Sequence, residues 1–385
     1  MKASRRGAID PFHVMEVMKA AAAREASGAE VLHMEVGQPS TGAPRQAIEA
    51  LTAAMARGPL GYTDAFGTPD LRAGISRHYQ RFYGVDVPAE RIVVTIGASG
   101  AFLLAFLAAF DHGDRVALAE PGYPAYRNIL SGLGVTPVGV PTGPETRFQL
   151  DARLVAEVAG PLAGVLVASP ANPTGTMIEP EVLAELAADC AARGRWLIVD
   201  EIYHGITYGG RPQTAAALSP DIIVVNSFSK YFSMTGWRIG WMVLPEALVR
   251  PVECLAQNLF ISPPAASQVA ALGALDAYDE CDANVARYAE NRRILLDRLP
   301  RAGLDRLAPA DGAFYIYADV SHLTDDADAF ARRLLAETGI AATPGIDFDP
   351  HRGHRYVRFS FAGATETMIA ACDRLEAWIA TLNRR

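Results

Sequence analysis

Lysine is scarce in this chain. Of its 35 basic residues only three are lysines, Lys2, Lys19 and Lys230, and two of those fall within the first twenty positions. A GC-rich genome that writes its cations as arginine would account for the scarcity. A sharper reading is that Lys230 does chemistry arginine cannot. A guanidinium stays charged, whereas a lysine amine can lose its proton and act as a nucleophile.

Other shortages exclude whole classes. The four cysteines (Cys190, Cys254, Cys281 and Cys372) form no Cys-x-x-Cys pair, so neither a zinc site nor a disulfide framework is expected. A reducing, cytoplasmic setting fits that usage. The eight histidines show no metal spacing, and His351 and His354 read as solvated loop residues. Basic charge is not in excess: 43 acidic residues leave a net charge of −8, which disfavours nucleic acid. The longest apolar run, 101–110, is half of the roughly 20 residues a membrane span needs. The stretch 1–11 has no apolar segment of the signal-peptide kind. Repeats and low-complexity tracts are missing as well.

What is present reads as a globular chain. Half of the residues are hydrophobic and a fifth are charged, and the length suggests two or three domains. Short β-branched runs at 91–96, 114–119, 135–140, 164–168, 195–199, 221–226 and 239–244 read as strands. Helical stretches at 99–110, 124–133 and 179–193 alternate with them. This pattern predicts an α/β fold with a large, mostly parallel sheet covered by helices on both faces. The ends differ. Helices are expected at 11–28, 265–299, 327–338 and 366–383, and strands at 31–36, 313–320 and 355–361. A smaller α+β domain built from both termini follows, with 1–45 and 271–385 flanking a large domain at 46–270.

In open α/β sheets ligands bind beyond the carboxyl ends of the strands. Five strands here run into polar, turn-rich segments. They are Gly97-Ala98-Ser99-Gly100, Glu120-Pro121-Gly122-Tyr123-Pro124, 169–175, Asp200-Glu201-Ile202-Tyr203 and Asn226-Ser227-Phe228-Ser229-Lys230. Lys230 is either a surface lysine or a Schiff-base lysine. An acyl-transfer pair with Ser227 is rejected, because the companion Ser-Asp-Asn and Lys-Thr-Gly elements do not occur. Gly97 to Gly100 open a helix where backbone N–H groups could meet an anion, with Ser227, Ser229 and Arg238 closing round it. A plain strand-to-helix turn reads equally well. No Gly-x-Gly-x-x-Gly and no Walker lysine point to a nucleotide. Asp200, at a strand end, either caps a turn or faces a cationic ligand nitrogen, with Tyr203 on the same side. Tyr123 is core packing or a platform for an aromatic ring. The X-Pro bonds at 169–170 and 172–173 could be cis. Arg358, on the face opposite Val357 and Phe359, is an exposed strand arginine or a bidentate carboxylate clamp.

Taken together, these segments resemble the class I/II aminotransferases, pyridoxal-phosphate enzymes of fold type I. Ser227-Phe228-Ser229-Lys230 with Arg238 looks like the family's lysine signature. Asn172-Pro173-Thr174-Gly175 and Asp200-x-x-Tyr203 match two further hallmarks. The motifs run in order from Gly37 to Phe361. The resemblance implies that Lys230 carries the cofactor as a Schiff base and moves protons. It implies Asp200 on the pyridinium nitrogen, Tyr203 and Asn172 on the ring oxygen, and Tyr123 stacked on the ring. Ala98, Ser99, Ser227, Ser229 and Arg238 would hold the phosphate. Arg358, with Gly37 and Asn172 beside it, would clamp the substrate carboxylate. Tyr62, in Gly61-Tyr62-Thr63, resembles the tyrosine that completes a neighbouring site in a homodimer. The stretch 255–260 carries no cation where some aspartate enzymes of this family have one, which lowers the odds for aspartate. The expected activity is amino-group transfer by a ping-pong route from a neutral or aromatic L-α-amino acid to a 2-oxo acid. A lyase or synthase on the same fold is the alternative, and a non-catalytic sensor lacks the DNA-binding segment it would need.

Overall fold

A computed structural model describes residue 2 and residues 4–382. Its strands are β1 (Leu32–His33), β2 (Ile92–Thr95), β3 (Arg115–Glu120), β4 (Thr136–Pro141), β5 (Gly164–Ala168), β6 (Trp196–Asp200), β7 (Ile223–Ser227), β8 (Gly240–Val243), β9 (Tyr315–Asp319), β10 (Ile340–Ala341), β11 (Thr343–Pro344) and β12 (Tyr356–Ser360). Seven of them form one sheet in the order β2-β8-β7-β6-β5-β3-β4. All neighbours run parallel except β8, which is antiparallel to both β2 and β7.

Both faces of this sheet are covered, and the alternation of side chains shows how. Val94, Leu197, Val199, Val224 and Val243 enter one hydrophobic cluster. Their chain neighbours Val93, Ile198, Ile223, Val225 and Met242 enter the other. Helices Pro69–Tyr83 and Pro180–Ala192 pack in the first cluster, and Gly97–Ala109 and Glu246–Leu259 in the second. A strand buried on both sides needs apolar residues at every position, which is why these runs are so uniformly β-branched. The fold is α/β, as the alternation predicts.

The terminal elements form two smaller sheets. Strands β11-β12-β9 are antiparallel, and β1 from the start of the chain pairs with β10. The strand expected at 31–36 is only two residues long. After Met34 the chain leaves the sheet, and its next residues reach the site instead. The helical region expected at 265–299 is two helices, Ala265–Ala274 and Tyr278–Arg301. Leu275, Asp276 and Ala277 break it without a glycine or proline to signal the break. Helices Arg45–Arg57, Pro69–Tyr83, Ala152–Ala156 and Glu246–Leu259 were not expected from the pattern. The last helix, Thr365–Leu382, begins one residue before the expected 366–383, and Asn383 lies outside the described residues. Among the described residues, no helix is long and apolar enough to cross a membrane.

Candidate functional site

Register places the chemistry on one edge. Ala168 of β5 lies opposite Asp200 of β6, which lies opposite Val225 of β7. The segments that follow these strands therefore leave the sheet side by side. Because β8 runs the other way, its amino end arrives at that same edge, with Ser227 opposite Gly240 and Thr95 opposite Gly240. This brings Arg238, two residues before β8, to the helix that opens at Gly97.

The edge borders a cavity of about 700 Å³. Gly37, Ala98, Ser99, Tyr123, Asn172, Asp200, Tyr203, Ser229, Lys230, Arg238 and Arg358 all line it. Two sequence candidates do not. Ser227 sits behind Ser229, its Oγ 3.0 Å from the Ile239 carbonyl and 2.9 Å from Ser229 Oγ. Tyr62 is 85 % exposed and does not line the cavity of its own chain.

At one end the site is built for an anion. Helix Gly97–Ala109 starts without a side-chain cap, which leaves its first N–H groups to an external acceptor. Gly97 has φ +65°, and a Cβ there would lie 2.5 Å from Arg238 Nη2. Glycine thus admits the guanidinium against the helix start. Arg238 is itself held by a 2.9 Å bond from Nη1 to the Thr235 carbonyl, and Ser229 adds a hydroxyl nearby.

At the other end sits a buried carboxylate. Asp200 Oδ2 accepts from Tyr126 Oη at 2.5 Å, and Oδ1 accepts from the Ile202 amide at 2.9 Å. Burial pushes its pKa up to about 6, against the pull of these two bonds and of Lys230. Lys230 Nζ donates to the Gly37 carbonyl at 2.6 Å. Burial lowers its pKa to about 8, helped by Arg358 and Arg238 and opposed by Asp200. An amine in this range is free base in about a tenth of molecules at pH 7, far more than an ordinary lysine, and a nucleophile needs that form.

Arg358 is buried, where an isolated strand arginine would be exposed. Its Nη1 donates to Asn172 Oδ1 at 2.8 Å and its Nη2 to the Glu35 carbonyl at 2.5 Å. Its Nε is buried without a partner. The rings of Tyr315 and Phe348 lie 4.4 and 4.8 Å from the guanidinium carbon. Tyr203 Oη is 2.6 Å from Tyr315 Oη. Tyr123 meets Tyr126 edge-on with ring centroids 5.3 Å apart and Phe12 at 6.1 Å. The bonds Glu120–Pro121, Ser169–Pro170 and Asn172–Pro173 are cis.

Sequence reasoning missed several members. Tyr126 lies three residues after Tyr123, a spacing that already signalled a shared helical face for Asp200 and Tyr203. Tyr315 lies in an expected strand whose alternation could have marked it. The apolar wall of Phe12, Val14, Met15 and Met18, from the start of helix His13–Ala26, carried no local signal.

Comparison with known proteins bears on this geometry. The family model for aminotransferase class I and II matches residues 29–375. A valine–pyruvate aminotransferase of Mycobacterium tuberculosis is 53 % identical over 97 % of both chains. The crystal structure of an aminotransferase from Mycobacterium tuberculosis superposes with a TM-score of 0.97 at 52 % identity, covering 99 % of this chain and 100 % of that one. An aspartate aminotransferase from Thermus thermophilus with maleate gives a TM-score of 0.92 at 31 % identity, covering 98 % of this chain and 99 % of that one.

Proposed function

The chain belongs to the class I and II aminotransferase family, and from that premise we propose that it moves the amino group of a neutral aliphatic L-α-amino acid to a small 2-oxo acid in two half-reactions. Enzymes of this family work with pyridoxal 5'-phosphate, and the residues present fit that group. The helix start at Gly97 with Arg238 and Ser229 suits a phosphate. Asp200 is a buried carboxylate in need of a cation, which a pyridinium nitrogen supplies. Tyr123 offers a ring face, and Lys230 an amine for covalent attachment. Ser227 supports Ser229 rather than reaching the cavity. When bound, the cofactor supplies an electron sink that lets the substrate α-carbon lose a proton.

The chain's own residues do the rest. Arg358, with its unpaired Nε, binds the substrate carboxylate and so orients the Cα–H bond. Asn172, its oxygen engaged by Arg358, has its amide nitrogen left to donate. Tyr203, which lines the cavity, would donate to the ring oxygen of the bound cofactor. Lys230 Nζ would take the α-proton and return it across the site, a role its lowered pKa suits.

One observation carries the donor class: the wall of Phe12, Val14, Met15 and Met18 is apolar. Among the described lining residues the cations are Lys230, Arg238 and Arg358, each with a role already. None remains for a side-chain carboxylate. The relative named for valine and pyruvate supports the same reading. We also propose a homodimer in which the exposed Tyr62 completes the neighbouring cavity.

A panel of amino donors tests this. Valine, leucine and alanine should convert the bound cofactor to its amine form without any oxo acid, and aspartate should do so far more slowly. Lys230→Ala should abolish both the conversion and the visible absorbance of the attached cofactor. Release of ammonia from a donor supplied alone would favour the lyase reading instead.

A further inference from the structure

Helix His13–Ala26 raises a question that its own sequence does not answer. It carries the apolar wall over the cavity, yet its N-cap is Phe12, which has no side-chain acceptor. The first-turn N–H groups would be left to water. They are not. His13 N donates to Asp347 Oδ1 at 3.1 Å and Val14 N to Asp347 Oδ2 at 3.2 Å. One carboxylate, more than 330 positions away, caps the helix with both oxygens. Asp347 is 1 % exposed.

The same residue is tied in two other directions. Its carbonyl accepts from Arg127 Nη2 at 2.8 Å, and Arg127 belongs to helix Pro124–Leu133, which starts directly after Tyr123. Its neighbour Phe348 packs against the Arg358 guanidinium. Asp347 therefore joins the wall, the helix behind the Tyr123 ring and the segment behind the carboxylate clamp. A negative charge at a helix start is also favoured by the backbone dipoles.

We propose that Asp347 is a positioning residue that sets the height of the Phe12–Met18 wall above the substrate side chain, and with it the preference among neutral donors. The proposal rests on the donor reading above. It requires no contact between Asp347 and substrate. The carboxylate fixes where the helix begins, and the helix fixes where Phe12, Val14 and Met15 stand. A branched side chain meets that wall, whereas the methyl of alanine is too short to depend on it.

The test uses the holoenzyme with Asp347→Ala, which removes both bonds, and Asp347→Asn, which keeps one acceptor oxygen. Loss of a cap of this kind translates into about a tenfold effect. For Asp347→Ala, kcat/KM for valine should fall about tenfold, mainly through KM, with less than a twofold change for alanine. Asp347→Asn should fall between that variant and wild type. Equal losses for the two donors, or a loss confined to kcat, would overturn the proposal, because a general structural defect acts that way. If Asp347→Ala does not fold, amide exchange decides on Asp347→Asn. The one of the His13 and Val14 amides that loses its acceptor oxygen should exchange several-fold faster than in wild type, and unchanged exchange at both refutes the tie. A wild-type enzyme that prefers a dicarboxylic donor would overturn the underlying donor reading. The two failures are read from different measurements.

Discussion

Gly37→Ala isolates one contact at the centre of the site. The backbone at Gly37 is not in the left-handed region, so alanine is conformationally acceptable there. Space is the difficulty. A Cβ at position 37 would lie 2.1 Å from Tyr315 Oη, 3.0 Å from its Cζ and 3.3 Å from Cε1, whereas ordinary contact begins near 3.4 Å. The hydroxyl has no easy retreat. Tyr315 is 1 % exposed, bonded to Tyr203 and stacked by Arg358. The alternative is that residue 37 withdraws, and its carbonyl then loosens from Lys230 Nζ. Overpacking of this kind costs about 1–3 kcal/mol. Tyr315→Phe alone loses one hydrogen bond, about 1 kcal/mol. In the double variant the atom at 2.1 Å is gone and the nearest remaining one is at 3.0 Å. Most of the alanine penalty should therefore vanish, giving a favourable coupling of about 1–2 kcal/mol. Urea unfolding of the four apoproteins at one protein concentration measures it. Valine KM, followed in parallel, should show the same partial rescue. Additivity within about 0.5 kcal/mol would refute the steric argument.

Two further outcomes follow from the charged groups. With the cofactor removed, Lys230 should react with an amine-directed acylating reagent along a titration with its midpoint near pH 8, because burial beside Arg358 and Arg238 favours the neutral amine. Mass spectrometry resolves this readily, since Lys2 and Lys19 are the only other lysines. A midpoint near the ordinary lysine value would contradict the burial. Asp200 works in the opposite sense. Its folded-state pKa is raised from 3.8 to about 6, so the folded protein holds that proton more tightly than the unfolded chain. The stability it lends is present at low pH and lost as pH rises from about 4 to about 6. Asp200→Asn should therefore leave the apoprotein at pH 8 at least as stable as wild type, while lowering turnover more than about a hundredfold through the unpartnered ring nitrogen. A less stable apoprotein variant at pH 8 would count against it.

The fold class and most of the cavity could be read from sequence because both depend on local pattern. A β-branched run ending in a polar turn marks a strand end, and a parallel sheet gathers its strand ends on one edge. Lys230, Asp200, Asn172 and Tyr123 were all found that way. Arg238 reads from sequence as a cation closing round an anion at Gly97 to Gly100, and the structure supplies the physical reason it belongs: β8 is antiparallel, so the residue before that strand reaches the same edge as residues after the others. Arg358 shows the limit of alternation. Val357 and Phe359 point to one side of β12 and Arg358 to the other, but both sides are buried, so the pattern could separate faces without saying that neither meets water. The helix break at 275–277 carries no glycine or proline, so the sequence pattern runs through it.

The wall shows why the remainder could not be read locally. A short helix near the start of a chain, with its apolar side chains gathered at 12–18, has many possible resting places, and nothing within 13–26 selects one. The selection lies in Asp347, which accepts the helix's first amides, and in Arg127, which holds the Asp347 carbonyl. Each is an unexceptional residue where it stands. The bonds between them join positions separated by more than 200 residues, and each is specified by geometry that exists only once the large sheet and the C-terminal sheet are in place. In this enzyme the chemistry is encoded at strand ends, where sequence pattern exposes it. The proposed donor pocket depends instead on long-range caps, which is why donor preference is the property that measurement at Asp347 must decide.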